Sequence, residues 1–213
     1  MGRIQLFPEC MALLGDVVRS RDSRRAAVHD AILAAIETTN AAVPTLDPLR
    51  VTVGDELQGV YASVGDAVAA TMMLRDELLG TAELRVGLGG GEVRVVDAER
   101  GIQDGSAWWN AREAIERAEE TSRRPGHRAA RTALVDGRAA ANPLADPLLR
   151  LLDAELDRLS EATRRTWRDL RRGTPNLEAA AREQVSPSAI SQRINDNGLR
   201  PLLDVVETLT ALP

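Results

Sequence analysis

The stretch Arg50–Tyr61, RVTVGDELQGVY, sets two short β-like runs, Val51/Val53 and Leu57/Val60/Tyr61, on either side of Gly54-Asp55-Glu56. Alternating apolar residues around a Gly-Asp pair are a hairpin signal. A hairpin tip needs a glycine and tolerates one acidic residue, yet this one carries two adjacent carboxylates. Two readings stay open here: a solvated turn, or a metal or phosphate site at the tip of a strand pair.

Working outward, Cys10–Val18 reads as a buried strand, because it is short and its end is β-branched. Val28, Ile32, Leu33 and Ile36 then recur at helical spacing, with Asp22 or Ser23 as N-cap and Pro44 and Pro48 closing the helix. After the hairpin, Ser63-Val64-Gly65-Asp66 opens a second helix to about Leu79 in a capping-box-like pattern. Leu84–Val96 is a further strand, interrupted by Gly87, Gly89, Gly90 and Gly91, which point to a bulge or a close backbone approach. A helix over 106–120 and a strand over 131–136 complete the unit. The order is βαββαβ, an α+β, ferredoxin-like arrangement with additions. In such a fold the first strand lies beside the hairpin, so Asp16 approaches Asp55, and two converging carboxylates suit a hard divalent cation on a nucleotide.

Composition narrows the chemistry. The chain has 213 residues, one cysteine (Cys10), two histidines (His29 and His127) and 27 basic residues, all arginine. An internal disulfide, a cysteine zinc cluster, Schiff-base chemistry and a phosphate-loop lysine are therefore excluded. Nothing approaches the roughly 20 apolar residues of a membrane span, and no signal pattern opens the chain, so a cytoplasmic protein without membrane contact is expected. Residues 1–149 carry 17 arginines against 22 acidic residues, whereas 162–200 carry 8 against 4, a local net of +4. An acidic body with a basic tail segment hints at an anionic partner for the tail.

Asn142-Pro143 marks a boundary, giving 1–142 as an α+β domain and 143–213 as an all-helical one. The tail is expected to hold one long helix near 148–172, then three short ones. Within Asn176–Gly198 the pattern reads helix, tight turn, helix, with Ser186 as N-cap and Pro187 at the first helical position. Leu177, Ala180, Ala181, Val185, Ile190 and Ile194 form the expected interior. Ser186, Ser188, Ser191, Gln192 and Arg193 are then the candidate DNA-binding residues, being groups that read base edges and phosphates. The leucines of the preceding helix are expected to pack on the first domain and on a second subunit, making a homodimer.

The runs ALLGDVV, VTVGDELQGVY, LRVGLGGGEV and WWNAREAIERAE occur in the order seen in class III nucleotide cyclases and the related GGDEF domains. Gly15–Arg21 through Asn110-Ala111-Arg112 resembles the SatD family more closely, bacterial proteins that join a cyclase-like region to a C-terminal helix-turn-helix. The resemblance implies Asp16 and Asp55 as metal ligands, with Arg19, Gly54, Glu56, Asn110 and Arg112 around a nucleotide or nucleotide second messenger, and Mg²⁺ as the accompanying ion. It also implies an arginine four residues after Asn110 and a base-selecting lysine four before Asp55. Those positions hold Ala114 and Val51. Loss of the charge that steadies a transition state gives the expectation of a degenerate domain, not an enzyme, within a DNA-binding transcriptional regulator. The alternative is an active nucleotidyl cyclase or related phosphoryl-transfer enzyme with a helical dimerisation tail.

Overall fold

A computed structural model describes residues 5–18, 25–52 and 56–213 of the chain. Strand β1 (Gln5–Val17) is central, antiparallel to β3 (Leu57–Tyr61) on one side and to β4 (Leu84–Asp97) on the other. The sheet order is β2-β3-β1-β4-β5, with β2 at Asp47–Val51 and β5 at Ile102–Asp104. Strand β6 (Thr132–Asp136) lies parallel to β4. The register of β1 slips between Phe7 and Cys10, where Pro8 has no N–H to give the ladder.

Alternation along β1 divides two cores. Met11 and Leu13 belong to a large core with helices α1 (Arg25–Ala42) and α2 (Val64–Glu77). Cys10, Ala12 and Leu14 face helix α3 (Ser106–Ser122). The α1 stripe is narrower than its sequence suggests: Val28, Ile32 and Ile36 are buried, while Leu33 is exposed. Its expected caps, Asp22 and Ser23, lie outside the described residues. Ser63 caps α2, its Oγ accepting from the Asp66 N–H at 3.0 Å.

The hairpin is longer on its first arm than the spacing predicts. β2 starts at Asp47, so Pro48 is part of an edge strand and does not end the helix. The Thr52 N–H donates to the Glu56 carbonyl at 2.8 Å and closes the turn. Val53, Gly54 and Asp55 lie outside the described residues.

The glycines of β4 make a seat for α3, and the strand runs unbroken through them. A Cβ on Gly87 would meet Ala111 O at 2.4 Å, and one on Gly89 would meet Ala107 O and Ala111 N at 2.1 Å. The facing side of α3 is correspondingly small, with Ala107, Ala111, Ala114 and Ala118 buried.

The C-terminal part holds α4 (Ala145–Arg158), α5 (Glu161–Arg171), α6 (Asn176–Glu183), α7 (Pro187–Asp196) and α8 (Leu199–Thr210). The expected long helix is two helices. Leu159 is extended (φ −70°, ψ 137°), and the Ser160 Oγ accepts from the Thr163 N–H at 3.2 Å to start α5. Leu149, Leu152, Leu156 and Leu159 are buried within the chain, which leaves Leu151 as the exposed member of that row.

No apolar gap separates the two halves. Leu149, Trp167, Ile190 and Leu209 belong to the same core as Met72 and Leu74 of α2. Helix α2 is held at both ends by the tail. At its start, the Gly65 N–H donates to Leu212 O at 3.0 Å and the Val64 N–H to Pro213 O at 3.2 Å. At its end, Arg171 pairs with Asp76 at 2.6 Å and Arg172 with Glu77 at 2.5 Å. Asp153 of α4, nearly fully buried, accepts from Arg75 and from the N–H groups of Arg131 (2.8 Å) and Thr132 (2.6 Å). Burial pushes the Asp76 carboxyl above its usual range, and Arg171 opposes that shift. Removing one member of such a buried pair costs about 3–5 kcal/mol because the other stays buried and unpaired. Among the described residues, no helix is long and apolar enough to cross a membrane.

Candidate functional site

Leu14 and Asp16 lie on the α3 side of β1, and register decides what they meet. Gly15 pairs with Leu57 and Asp16 with Arg85. One step beyond the first pair, Glu56 is the hairpin residue opposite Asp16. The Asp16 Oδ2 accepts from Arg85 Nη1 at 2.9 Å, and Glu119 Oε2 lies 3.7 Å from the same nitrogen. Glu56 Oε1 accepts from Arg112 Nη2 at 2.6 Å, joining the hairpin to α3. Asn110 is turned inward, with its Nδ2 donating to Gly90 O at 2.7 Å. Thus Glu56 and Arg112 meet, Asp16 meets Arg85, and Asn110 is tied to the sheet. Arg19, Gly54 and Asp55 lie outside the described residues.

Arg85 was missing from the expected set of side chains. Its signal was its place in the strand LRVG, opposite Asp16 once β1 and β4 are paired.

Beside the Glu56–Arg112 pair runs an open groove of about 680 Å³, walled by Leu14, Gln58, Ile102, Gln103, Trp108 and Trp109. Gln103 Nε2 donates to Asp47 Oδ2 at 2.9 Å, so the β4–β5 arm reaches across to β2 and bounds the groove. Trp108 packs against the core of Cys10, Ala12 and Leu14. Trp109 is 65% exposed, with its Nε1 donating to Asp104 Oδ1 at 3.1 Å. An indole held by one hydrogen bond and open on its face offers a stacking surface for a planar ring.

Among the described residues, no three His, Cys, Asp or Glu side chains converge as metal ligands. Asp16 is the described member of the expected metal pair, and its Oδ2 is engaged by Arg85. Asp55, the other member of that pair, lies outside the described residues, and no step is routed through a metal.

In the tail, Gln184 closes α6 in the left-handed conformation (φ 55°, ψ 42°) and the Val185 N–H returns to Ala180 O at 3.0 Å. Ser186 caps α7, accepting from the Ala189 N–H at 3.1 Å. Ile190, Ile194 and Val185 lie in the interior as expected, while on α6 the buried side differs by one helical position, a rotation of about 100°. Ala179 and Ala180 are buried, Ala181 is exposed and Leu177 is 72% exposed. Two expected DNA contacts are turned to the protein. Arg193 Nη1 binds Glu183 Oε2 at 2.7 Å, and Ser191 Oγ is held by Pro187 O at 3.1 Å and Asn176 Nδ2 at 3.0 Å. Ser188 and Gln192 face solvent, as does Asn195.

Solved structures that the chain is similar to include three cyclase domains. One is the catalytic core of a rhodopsin-guanylyl cyclase with converted specificity in complex with ATPalphaS (15% identity, TM-score 0.41, covering 53% of this chain and 74% of that one). Another is the monomeric guanylyl cyclase domain of the RhoGC fusion protein from the aquatic fungus Blastocladiella emersonii (12% identity, TM-score 0.39, 51% and 75%). The third is a double mutant of that domain (14% identity, TM-score 0.38, 51% and 74%). The likeness is to cyclase domains. No protein-family model matches the chain, and no curated protein matches it. At these identities and scores the likeness assigns no substrate and no residue role. It does correct one expectation: the structures that the chain is similar to are guanylyl cyclase domains, one of them named a catalytic core, so the reading of this domain as a non-enzyme is withdrawn.

Proposed function

We propose that this chain binds DNA through α6 and α7, used as a helix-turn-helix, and that a nucleotide in the α3-side groove adjusts that binding. The observation that carries the proposal is the left-handed turn at Gln184, which brings two short helices together over Ala179, Ala180 and Ile190. Beyond the Ser186 cap, Ser188, Gln192 and Asn195 stand in solvent on α7. Amide and hydroxyl groups on the exposed side of such a helix match base edges in a major groove. Arg193 keeps its place in the proposal as a strut that fixes α7 against α6. On the other side of the molecule, Trp109 offers a base its stacking face, Gln58 offers hydrogen-bonding groups, and Glu56–Arg112 closes one end.

The test is fluorescence anisotropy of labelled duplex DNA from the gene's own upstream region, with random DNA as competitor. Binding is expected at low salt and should weaken steeply with added salt as counterions are released. Gln192→Ala should cost roughly 1–3 kcal/mol of binding. Retention of no DNA, specific or random, at low salt contradicts the proposal.

A further inference from the structure

We infer that the recess where β1 and α3 end and β4 begins is a binding site for a compact anion bearing two or more linked phosphates. The recess has a volume of about 530 Å³ and is lined by Ser122, Arg85, Arg123, Arg124, Arg128 and Arg131. Among the described residues lining it none is acidic, in a chain whose net charge is −5. The α3-side groove is the reverse, with Glu56, Glu113 and Glu116 against Arg112 among the described residues. The inference stands whether or not that groove takes a nucleotide.

The arginines form a floor and a rim. Arg85 and Arg131 are the floor, with side chains 14% and 17% exposed, held from behind by Asp16 at 2.9 Å and Glu83 at 3.0 Å. Arg85 Nε is buried and has no hydrogen-bond partner among the described residues. Arg124 and Arg128 stand exposed at the rim, and neither has an ion-pair partner among the described residues. Their loop is fixed by successive turns: the Arg124 N–H donates to Thr121 O at 3.0 Å, His127 N–H to Arg124 O at 3.1 Å and Ala130 N–H to His127 O at 3.0 Å. Arg85, Arg123 and Arg131 are ion-paired with Asp16, Glu119 (2.6 Å) and Glu83, so Arg124 and Arg128 carry the charge that an anion would meet. The guanidinium fork matches phosphate oxygens two at a time, so a chain of phosphates can bridge Arg124 and Arg128 at the rim. A concave recess of this size suits a compact polyphosphate better than the convex backbone of a duplex.

Calorimetric titration of the full chain at low ionic strength tests this, using tripolyphosphate, ATP and a short DNA duplex as three probes. Tripolyphosphate should bind the wild type, and Arg124→Ala/Arg128→Ala should lose at least tenfold in affinity without a change in the anion-free melting temperature. In the Trp109→Ala background, where the groove is altered, ATP should lose a similar factor on adding the two arginine changes. Trp109→Ala, which alters the groove alone, should leave tripolyphosphate binding intact. The inference is overturned if tripolyphosphate does not bind the wild type, if the double variant binds it equally well, if Trp109→Ala abolishes it, or if the duplex alone is weakened by the double variant.

Discussion

Cys10 reports how tightly the sheet is covered. Its side chain is fully buried under α3, with Sγ 3.5 Å from Gly91 O and 3.8 Å from Phe7 O, and burial pushes the thiol up to about 11. The reactive thiolate is thus scarce at pH 8. Iodoacetamide should fail to label native protein at that pH and label it fully in denaturant; rapid native labelling would mean that α3 does not cover β1. The sign for stability follows. The unfolded thiol ionises near its ordinary value of about 8.5, so this contribution is complete below that pH and declines as pH rises towards 11. At this scale the sequence made Asp16 visible, because a carboxylate after a strand stands out. Arg85 stayed hidden because its importance comes from strand pairing, which no local pattern encodes. The Arg193–Glu183 pair stayed hidden for a similar reason, because Glu183 lies on the preceding helix.

Packing of elements turns on backbone approach. The glycine run of β4 was legible as a close approach, but the surface approaching it was not, since Ala107 and Ala111 look like ordinary helix formers. Gly89→Ala places a methyl about 2.1 Å from the α3 backbone, where no side-chain rotation relieves the clash. Urea unfolding should show a loss of about 3 kcal/mol or more; a loss under about 0.5 kcal/mol would contradict the seat. Helix boundaries were less legible than helices. The apolar periodicity continues across Leu159–Ser160, so the break between α4 and α5 rests on a serine cap that the leucine pattern masks. A one-residue error in the frame of α6 likewise moved Leu177 from solvent to the core.

For the whole molecule, Asn142-Pro143 reads as a boundary in sequence, yet one core runs beneath both halves and α2 is tied to the tail at each end. Local turn signals cannot show this, because the contacts join residues about 95 apart in the chain, such as Asp76 and Arg171. Strand β3 ends at Tyr61 and α2 begins at Val64, so a shift of the hairpin at the Glu56–Arg112 end has a short path to the helices that hold α7. A ligand moves such an equilibrium only by its difference in affinity for the two states. The direct measurement is DNA affinity by anisotropy with and without saturating ATP or GTP, for the wild type and for Trp109→Ala. The account predicts that one nucleotide changes wild-type affinity by about tenfold, equivalent to about 1.4 kcal/mol of coupling, and that Trp109→Ala binds DNA normally but loses the change. DNA affinity that no nucleotide alters, in a protein shown by calorimetry to bind that nucleotide, would contradict it.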